Sequence, residues 1–307
     1  MADPKLGLAL GSGAARGWAH IGVLQVLAEA GIKPDIICGT SVGALVGAAF
    51  LTDQIDPLLA WSDKMGLFGI LGMLDLTFSR GGLVATQKAF DRFRNVQTEI
   101  LIENLPDAFG AVATDLASGR EIWLRDGSLL DAVQASVAMP GLFPAVRRGE
   151  QWLVDGALVN PVPVSLCRAM GADIVIAVNL NSHMPARRRP LRHRRGPAAV
   201  GRPEADNPLI QMTSQWAQQI RARFSDLTHT ADRDPSPSVL DIVARSVDIM
   251  QDRITRSRLA GEPPEVLISP RLGHVGILEF ERVGEVIAIG RAAAQALLPA
   301  IEIVLRR

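Results

Sequence analysis

Short apolar runs alternate with longer helical patterns along most of this chain, and this alternation constrains the fold more than any other feature. The apolar runs at 5–10, 35–38 and 173–178 have the length of buried strands. Helical patterns follow two of them, at 18–30 and 41–52. Strands that alternate with helices form a mainly parallel sheet whose crossover helices cover its faces. The sequence therefore predicts an α/β fold with a mainly parallel central sheet.

The same criteria predict further elements along the chain. Further strands are predicted at 110–114, 121–124, 151–154 and 266–269. Further helices are predicted at 57–74, 87–94, 208–227, 239–258 and 279–305.

Two segments depart from the pattern. Residues 66–82 are rich in glycine, leucine and methionine, and are too apolar for an ordinary surface loop. Residues 183–208 hold six arginines between Arg187 and Arg195, with several prolines and no hydrophobic period, which is typical of a flexible insertion. Because the periodic pattern resumes afterwards, we predict one domain over 1–307, with the C-terminal helices and one strand of 209–307 inside it.

Composition narrows the classes of partner and compartment. Acidic and basic residues balance at 32 each, so nothing general favours a nucleic-acid partner. Cys38 and Cys167 lie in apolar runs and are predicted to be core residues, which suits a reducing compartment. The N-terminus lacks the features of a secretory signal, and no run of about 18 apolar residues predicts a membrane span. We expect a cytoplasmic protein.

A G-x-S-x-G motif, Gly39-Thr40-Ser41-Val42-Gly43, lies between a short predicted strand and a helix of small residues. A nucleophile elbow requires this context, because its sharp turn needs nearly absent side chains on both sides of the serine. The helix also directs the positive end of its dipole at the serine. A plain strand-to-helix turn with a serine N-cap is the alternative. The motif favours Ser41 as a nucleophile, with Gly39 and Gly43 supporting the turn.

A loop of small residues follows the first predicted strand and opens a helix. It reads Gly11-Ser12-Gly13-Ala14-Ala15-Arg16-Gly17. Backbone N–H groups in such a loop bind either a dinucleotide pyrophosphate or a tetrahedral oxyanion. The dinucleotide fingerprint G-x-G-x-x-G is not met, because the third glycine falls one position late at Gly17, and no G-K-[ST] follows as in a P-loop. The loop therefore favours an oxyanion hole.

Asp155 and Gly156 follow the predicted strand at 151–154. An aspartate at the carboxyl end of a strand lies at the sheet edge where active sites collect. Taken alone, the Asp-Gly pair is more typical of a β-turn. Both interpretations stay open on these residues alone.

Taken in order, the glycine loop, the serine motif and Asp-Gly-Ala at 155–157 resemble the bacterial members of the patatin-like phospholipase family. The likeness extends to R-G-W-A-H-I-G-V-L at 16–24, A-T-D-L-A-S-G-R at 113–120, A-S-V-A-M-P-G-L-F-P at 135–144 and D-G-A-L-V-N-P-V-P at 155–163. It leaves out the arginine-rich segment and much of 51–82. Because several motifs match in the same order, the resemblance is specific.

The resemblance implies a three-layer α/β/α sandwich that hydrolyses fatty-acyl esters of glycerolipids with a Ser–Asp dyad. It implies that Ser41 is the nucleophile and Asp155 its base. It also implies an oxyanion hole formed by Gly11, Gly13, Ala14 and Arg16. Backbone amides around Gly13 and Ala14 are the implied donors, and Arg16 stabilises the loop. Gly17 and Gly156 are implied to support their motifs. Alanine stands at 14 and 15 where the family more commonly has glycine, and its methyl group limits φ.

The implied mechanism is covalent, with an acyl-enzyme that water resolves. A free aspartate, with a pKa of about 3.9, is a poor base at neutral pH. We therefore expect a dry, apolar surrounding to raise the pKa of Asp155. The apolar segment 66–82 is predicted to be a mobile lid that contributes to this cover, and an amphipathic core helix is the alternative.

Two other classes of function stay open. An acyl transferase or thioesterase on a similar scaffold would need a histidine base, and a non-catalytic regulatory protein would keep a relic site. His20 precedes both Ser41 and Asp155, whereas the usual α/β-hydrolase order places the histidine after the acid. His274 lies in a predicted turn. We therefore predict structural roles for both histidines and catalysis by a dyad.

No spacing of histidine, cysteine or carboxylate residues suggests a metal site, so no metal and no cofactor are expected. The expected partner is a lipid or acyl-ester substrate. The arginines from Arg187 to Arg195 predict peripheral contact with anionic membranes, although charge runs are more often solvated loops. Nothing in the sequence determines the oligomeric state.

Overall fold

The computed structural model describes residues 4–62, 98–140, 143–182 and 239–306. The chain divides into two compact units, one formed by Met1–Ala186 with Ser246–Arg307 and one formed by Arg187–Arg245. Of the second unit, only residues 239–245 at the start of a helix are described. The predicted lid, the arginine-rich segment and the predicted helices at 87–94 and 208–227 lie outside the described residues. The single domain over 1–307 stays a prediction.

The described strands form one eight-stranded mixed sheet. In chain order they are β1 (Leu6–Leu10), β2 (Ile36–Thr40), β3 (Ala108–Asp115), β4 (Glu121–Leu124), β5 (Val146–Arg148), β6 (Gln151–Asp155), β7 (Ile174–Val178) and β8 (Val266–Ile268). The order across the sheet is β5-β6-β3-β2-β1-β7-β8, with β4 also paired to β3. Along the part β3-β2-β1-β7-β8 of this order, neighbouring strands are parallel. Strands β4 and β6 pair antiparallel with β3, and β5 pairs antiparallel with β6. The predicted mainly parallel sheet is confirmed.

Helices cover both faces of this sheet. The described α-helices are α1 (Trp18–Glu29), α2 (Val42–Leu51), α3 (Ile55–Ser62), α4 (Leu129–Ser136), α5 (Val164–Ala169), α6 (Val239–Gly261) and α7 (Val283–Leu305). Alternate residues of a strand face opposite sides of the sheet. On one side, Leu8 and Leu10 pack with α1, α2 and α7. On the other side, Ala9 packs with α5 and with Leu259 of α6. The two helical layers with the sheet between them confirm the α/β/α sandwich.

The helix α7 is long and apolar enough to cross a membrane by length and composition. It packs along α1, with Val286, Ala294 and Ile301 buried in the larger hydrophobic core. Length and composition do not by themselves make a membrane span, because core helices of globular domains can be equally long and apolar.

Several element boundaries differ from the sequence prediction. The helix predicted from 279 begins at Val283, because Glu279 forms a turn in which its carboxylate accepts a hydrogen bond from the Gly276 N–H. The elements α4, β5 and α5 were not predicted, and α4 carries a recognisable start signal, since the Ser128 hydroxyl caps the N–H of Asp131. Cys38 and Cys167 are buried free thiols in the core, as predicted.

The sheet has a topological switch point between β1 and β7. From β1 the chain continues through β2 to β3 on one side, and β7 lies on the other side of β1. In open α/β sheets, ligands bind at the carboxyl ends of the strands beside such a point. The loop Gly11–Gly17 follows β1 here, and Gly11 N–H donates to Val178 O at the end of β7.

Strand β3 brings two other strand ends together. Thr40, the last residue of β2, lies opposite Val112, and Asp155, the last residue of β6, lies opposite Ala113. Because Ala113 also pairs with β4 on its other edge, β6 continues on the edge of β3 that β2 leaves. The residue after Thr40 is therefore held beside Asp155.

Candidate active site

Ser41 occupies a strained turn between β2 and α2. Its φ of 57° and ψ of −125° lie outside the regions that non-glycine residues favour. Two hydrogen bonds connect the turn to α4 and β3. The Ser41 N–H donates to Ser136 Oγ at 2.9 Å, and that hydroxyl donates to Val112 O at 2.6 Å. This strained strand-to-helix turn is the backbone geometry that a nucleophile elbow requires.

Close backbone approach explains the glycines that accompany the motifs. A β-carbon on Gly43 would collide with the Leu10 carbonyl at the end of β1, and one on Gly156 would collide with the Val112 carbonyl of β3. Gly17 lies against Val42, and Gly39 against the backbone of α2. Larger residues at these positions would push the strand ends and the elbow apart.

The Asp155 carboxylate contacts Ser41 directly. Ser41 Oγ donates to Asp155 Oδ2 at 2.5 Å, and the Ala157 N–H donates to Oδ1 at 2.8 Å. The backbone of Asp155 is held as well, because Thr114 Oγ1 donates to its carbonyl at 2.8 Å. Asp155 is only 1% exposed and Ser41 5% exposed, so the hydrogen-bonded carboxylate and hydroxyl lie in a buried site.

Burial raises the pKa of Asp155 from its ordinary value of 3.8 to about 7. Desolvation disfavours the charged carboxylate, and the hydrogen bonds from Ser41 and Ala157 offset only part of this effect. A carboxyl group with a pKa near neutrality is suited to proton transfer at neutral pH. The expected rise in the pKa of Asp155 is therefore present. The predicted contribution of 66–82 stays a prediction, because these residues lie outside the described part of the chain.

Four of the backbone N–H groups in the glycine loop already have acceptors. The N–H of Gly11 donates to Val178 O, that of Ser12 to Pro161 O, that of Ala15 to Ile277 O and that of Arg16 to Gly13 O, at 2.8–3.1 Å. Within the described part of the chain, the N–H groups of Gly13 and Ala14 have no acceptor. Of the four residues predicted for the oxyanion hole, Gly13 and Ala14 thus have amides available, whereas the amides of Gly11 and Arg16 are occupied.

The conformation of Ala14 is unusual for alanine. Its φ of 48° lies in the left-handed region, where the methyl group is disfavoured. Glycine adopts this region without such a penalty. Strained residues of this kind persist when their surroundings hold them in place, and they cluster at functional sites.

Neither described histidine contacts the Ser41–Asp155 pair. His20 is fully buried, and its Nε2 donates to Gly11 O at 2.7 Å. Burial lowers the pKa of His20 to about 4, so its ring is neutral at physiological pH. His274 is at the surface, where Nε2 contacts Glu285. His20 thus contacts the loop carbonyl of Gly11, and its structural role stays a prediction.

Some contacts of the candidate site have no counterpart in the sequence prediction. Ser136 stands in the A-S-V-A-M-P motif, and that motif is the signal by which it could have been found. Asn181, Asp248 and Gln251 contact Arg16 or Ser12 from outside any motif. They could not be found from spacing, because more than 160 residues separate them from the loop in sequence.

No group of three or more histidine, cysteine, aspartate or glutamate side chains that could hold a metal ion occurs among the described residues. The prediction that the protein needs no metal and no cofactor stays a prediction.

Comparisons with known proteins agree on one family. A family model described as patatin-like phospholipase matches residues 8–168. An uncharacterized NTE family protein of Mycobacterium tuberculosis is 33% identical over 345 residues, covering 98% of this chain and 93% of that protein. Patatin-like phospholipase domain-containing protein 7 of Mus musculus is 33% identical over 183 residues, covering 58% of this chain and 14% of that protein.

A solved structure, VipD from Legionella pneumophila, matches with a TM-score of 0.48 at 15% identity, covering 97% of this chain and 67% of that one. The region of this chain that the family model matches contains both Ser41 and Asp155 and ends before β7.

Proposed function

This chain belongs to the patatin-like phospholipase family, and on that premise we propose that it cleaves fatty-acyl esters of glycerolipids with a Ser41–Asp155 dyad. At the level of the family, the activity is lipid acyl hydrolysis. The observation that carries the proposal is the 2.5 Å hydrogen bond from Ser41 Oγ to the buried carboxylate of Asp155.

In the acylation half-reaction, Asp155 Oδ2 accepts the Ser41 proton as Oγ attacks the ester carbonyl carbon. The tetrahedral oxyanion accepts hydrogen bonds from the N–H groups of Gly13 and Ala14, whose electrostatic stabilisation needs no reorganisation during the reaction. The intermediate then collapses, the bond to the alcohol oxygen breaks, and the protonated Asp155 gives its proton to the leaving alkoxide. The product of this half-reaction is an ester of Ser41.

In the deacylation half-reaction, Asp155 accepts a proton from water as the water oxygen attacks the acyl carbon. The second tetrahedral intermediate uses the same amides of Gly13 and Ala14. Its collapse releases the fatty acid, and Ser41 Oγ recovers its proton from Asp155. A pKa of about 7 for Asp155 lets one carboxyl group serve as base and then as acid in both half-reactions.

We propose phospholipase A, lysophospholipase or carboxylic esterase activity as the specific reaction. The test is a panel of acyl esters, from short p-nitrophenyl esters to lysophospholipids and diacylphospholipids, with wild type and Ser41→Ala compared on each. We expect hydrolysis of at least one long-chain ester that Ser41→Ala abolishes. Transfer of the acyl group to an added alcohol or thiol in place of water would favour the acyl transferase alternative.

We also propose that the protein is cytoplasmic and contacts anionic membranes peripherally through Arg187–Arg195. Each basic residue near an anionic surface contributes about 1 kcal/mol, which salt screens. Deleting this segment should weaken binding to phosphatidylserine vesicles and spare the hydrolysis of a soluble ester. Unchanged vesicle binding at low salt would leave the segment as a solvated loop.

A further inference from the structure

A cluster of buried polar side chains lies behind the glycine loop, and the proposed dyad chemistry does not use it. Its members come from three parts of the chain: the loop, the residues after β7 and the helix α6. They belong to Ser12, Arg16, Asn181, Asp248 and Gln251, and each of these residues as a whole is no more than 8% exposed. Buried polar groups are costly unless they are paired, so this arrangement calls for an explanation.

Arg16 and Asp248 form the charged centre of the cluster. The Arg16 guanidinium contacts both oxygens of Asp248, at 3.0 and 3.1 Å. Its Nε donates to Val275 O at 2.9 Å and its Nη1 to Asn181 Oδ1 at 3.1 Å. The planar fork of arginine is suited to such simultaneous contacts, which hold its orientation as well as its position.

Gln251 holds the other end of the loop. Its Oε1 accepts hydrogen bonds from Ser12 Oγ at 3.1 Å and from Asn181 Nδ2 at 2.8 Å. Asn181 Nδ2 also donates to Ser12 O at 3.2 Å. Asp248 and Gln251 are three residues apart on α6 and therefore point to the same side of the helix.

The two contacts from α6 flank the two available amides. Ser12 precedes Gly13, and Arg16 follows Ala14 by two residues. Ala14 has a φ of 48°, a conformation that alanine does not favour and that its surroundings must maintain. Because the bonds from Gln251 and Asp248 hold the residues on both sides, they restrict where the N–H groups of Gly13 and Ala14 can point.

We infer that Asp248 and Gln251 are positioning residues, which hold the Gly13 and Ala14 amides in the geometry of an oxyanion hole. This inference rests on the proposed hydrolase function. It assigns part of the active-site geometry to α6, which lies outside residues 8–168 matched by the family model. The described part of α6 from Ser246 onward belongs to the same compact unit as the loop.

The test compares Asp248→Asn with Asp252→Asn, a matched control on the same helix. Asp252 forms an ion pair with Arg256 one turn further along α6. Both changes remove one negative charge and keep the side-chain shape. On a short soluble ester, we expect Asp248→Asn to lower kcat about 10- to 100-fold with little change in KM, because losing one oxyanion donor costs about 10²- to 10³-fold. Asp252→Asn should keep the wild-type kcat.

Hydrogen exchange of the amides in 11–17 gives a second readout that does not depend on activity. We expect faster exchange there in Asp248→Asn than in Asp252→Asn, because the loop opens more often when an anchor is lost. Gln251→Met, which removes no charge, should show the same pattern with a smaller change. It carries the test if Asp248→Asn does not fold.

The outcomes separate this inference from the proposed function. A lower kcat with faster loop exchange, absent from the control, supports the positioning role. Unchanged exchange, or faster exchange with the control's kcat, overturns it while Ser41-dependent hydrolysis still stands. If the wild type shows no Ser41-dependent hydrolysis, the proposed function fails, and the catalytic role of α6 fails with it. The hydrogen-exchange data would still show whether α6 holds the loop.

Discussion

The two halves of the candidate site are built in different ways. Ser41 and Asp155 lie at the ends of strands β2 and β6, and strand β3 pairs with both strands and sets their separation. The loop with Gly13 and Ala14 also follows a strand, but side chains far away in sequence hold it. The placement of the Ser41–Asp155 pair is therefore determined by sheet register, whereas the shape of the loop Gly11–Gly17 is determined by tertiary contacts.

This difference has a consequence for mutation. A change in the catalytic pair should remove the chemistry and leave the fold intact, since the sheet does not depend on the two side chains. A change in the loop's supports should weaken activity in proportion to the displacement of the amides. The following predictions, from the largest effect to the smallest, test that contrast.

The largest effect is expected from Asp155→Asn. An amide cannot accept the Ser41 proton as a carboxylate does, so hydrolysis should fall about 10⁴-fold or more. The far-UV circular dichroism should stay that of wild type. Substantial residual turnover in the folded variant would remove Asp155 from the mechanism.

A smaller effect is expected from Arg16→Lys. Lysine keeps the positive charge but cannot contact both oxygens of Asp248 together with Val275 O and Asn181. We expect kcat to fall about 10- to 100-fold, from displaced amides, with the acidic limb of the pH profile unchanged. Steady-state kinetics across pH would measure both. A loss as large as that of Asp155→Asn would contradict the graded behaviour of the loop.

The pH dependence should report the buried carboxylate. Below a pKa of about 7, Asp155 is protonated and cannot accept the serine proton, so kcat/KM should fall about tenfold per pH unit on the acidic side. This limb lies close to the ordinary pKa of histidine, about 6.5, so the limb alone does not separate a dyad from a triad. The limb should disappear from any residual activity of Asp155→Asn.

The same raised pKa affects stability. The folded pKa of about 7 exceeds the ordinary 3.8, so the penalty for the buried charge is absent below about pH 4, grows as the pH rises from 4 to 7 and stays constant above 7. At pH 8 the penalty is on the order of 4 kcal/mol. Asp155→Asn should therefore raise Tm at pH 8, by at least about 3 °C, and raise it less at pH 5. An equal shift at both pH values would contradict the raised pKa.

The smallest effect is expected from His20→Gln. Glutamine can place an N–H donor near the position of Nε2 and keep the bond to Gly11 O. With a dyad, kcat should stay within about threefold of wild type once Tm confirms folding. A loss comparable to that of Asp155→Asn would make His20 part of the chemistry and favour a histidine-based mechanism.

The sequence pattern places Ser41 and Asp155 at strand ends for a physical reason, and the structure brings the two side chains into contact. The turn at Ser41 requires glycine on both sides, because Gly43 lies against Leu10 and Gly39 against α2. This steric requirement is therefore visible in five consecutive residues of the sequence. Asp155 follows a recognisable strand and is itself followed by Gly156, which allows close approach to β3. Strand ends and their glycines are local features, and the α/β order of the chain follows from the same local patterns.

The supports of the oxyanion loop could not be predicted in the same way. Asp248 and Gln251 are polar residues within a helix whose pattern alone does not distinguish a solvated position from a buried one. Their role depends on the packing of α6 against a loop more than 230 residues earlier in the chain. The resemblance implies the amides around Gly13 and Ala14 as donors, and the acceptors of the neighbouring amides are the structural observation that agrees with it.

The acyl-enzyme tests the central claim most directly. Wild-type protein mixed with a lysophospholipid, quenched in acid within milliseconds to seconds and digested, should yield a peptide whose mass is increased by the fatty-acyl group at Ser41. Ser41→Ala should yield no such peptide and no hydrolysis. An acyl group on another residue, or hydrolysis that persists in Ser41→Ala, would contradict the account.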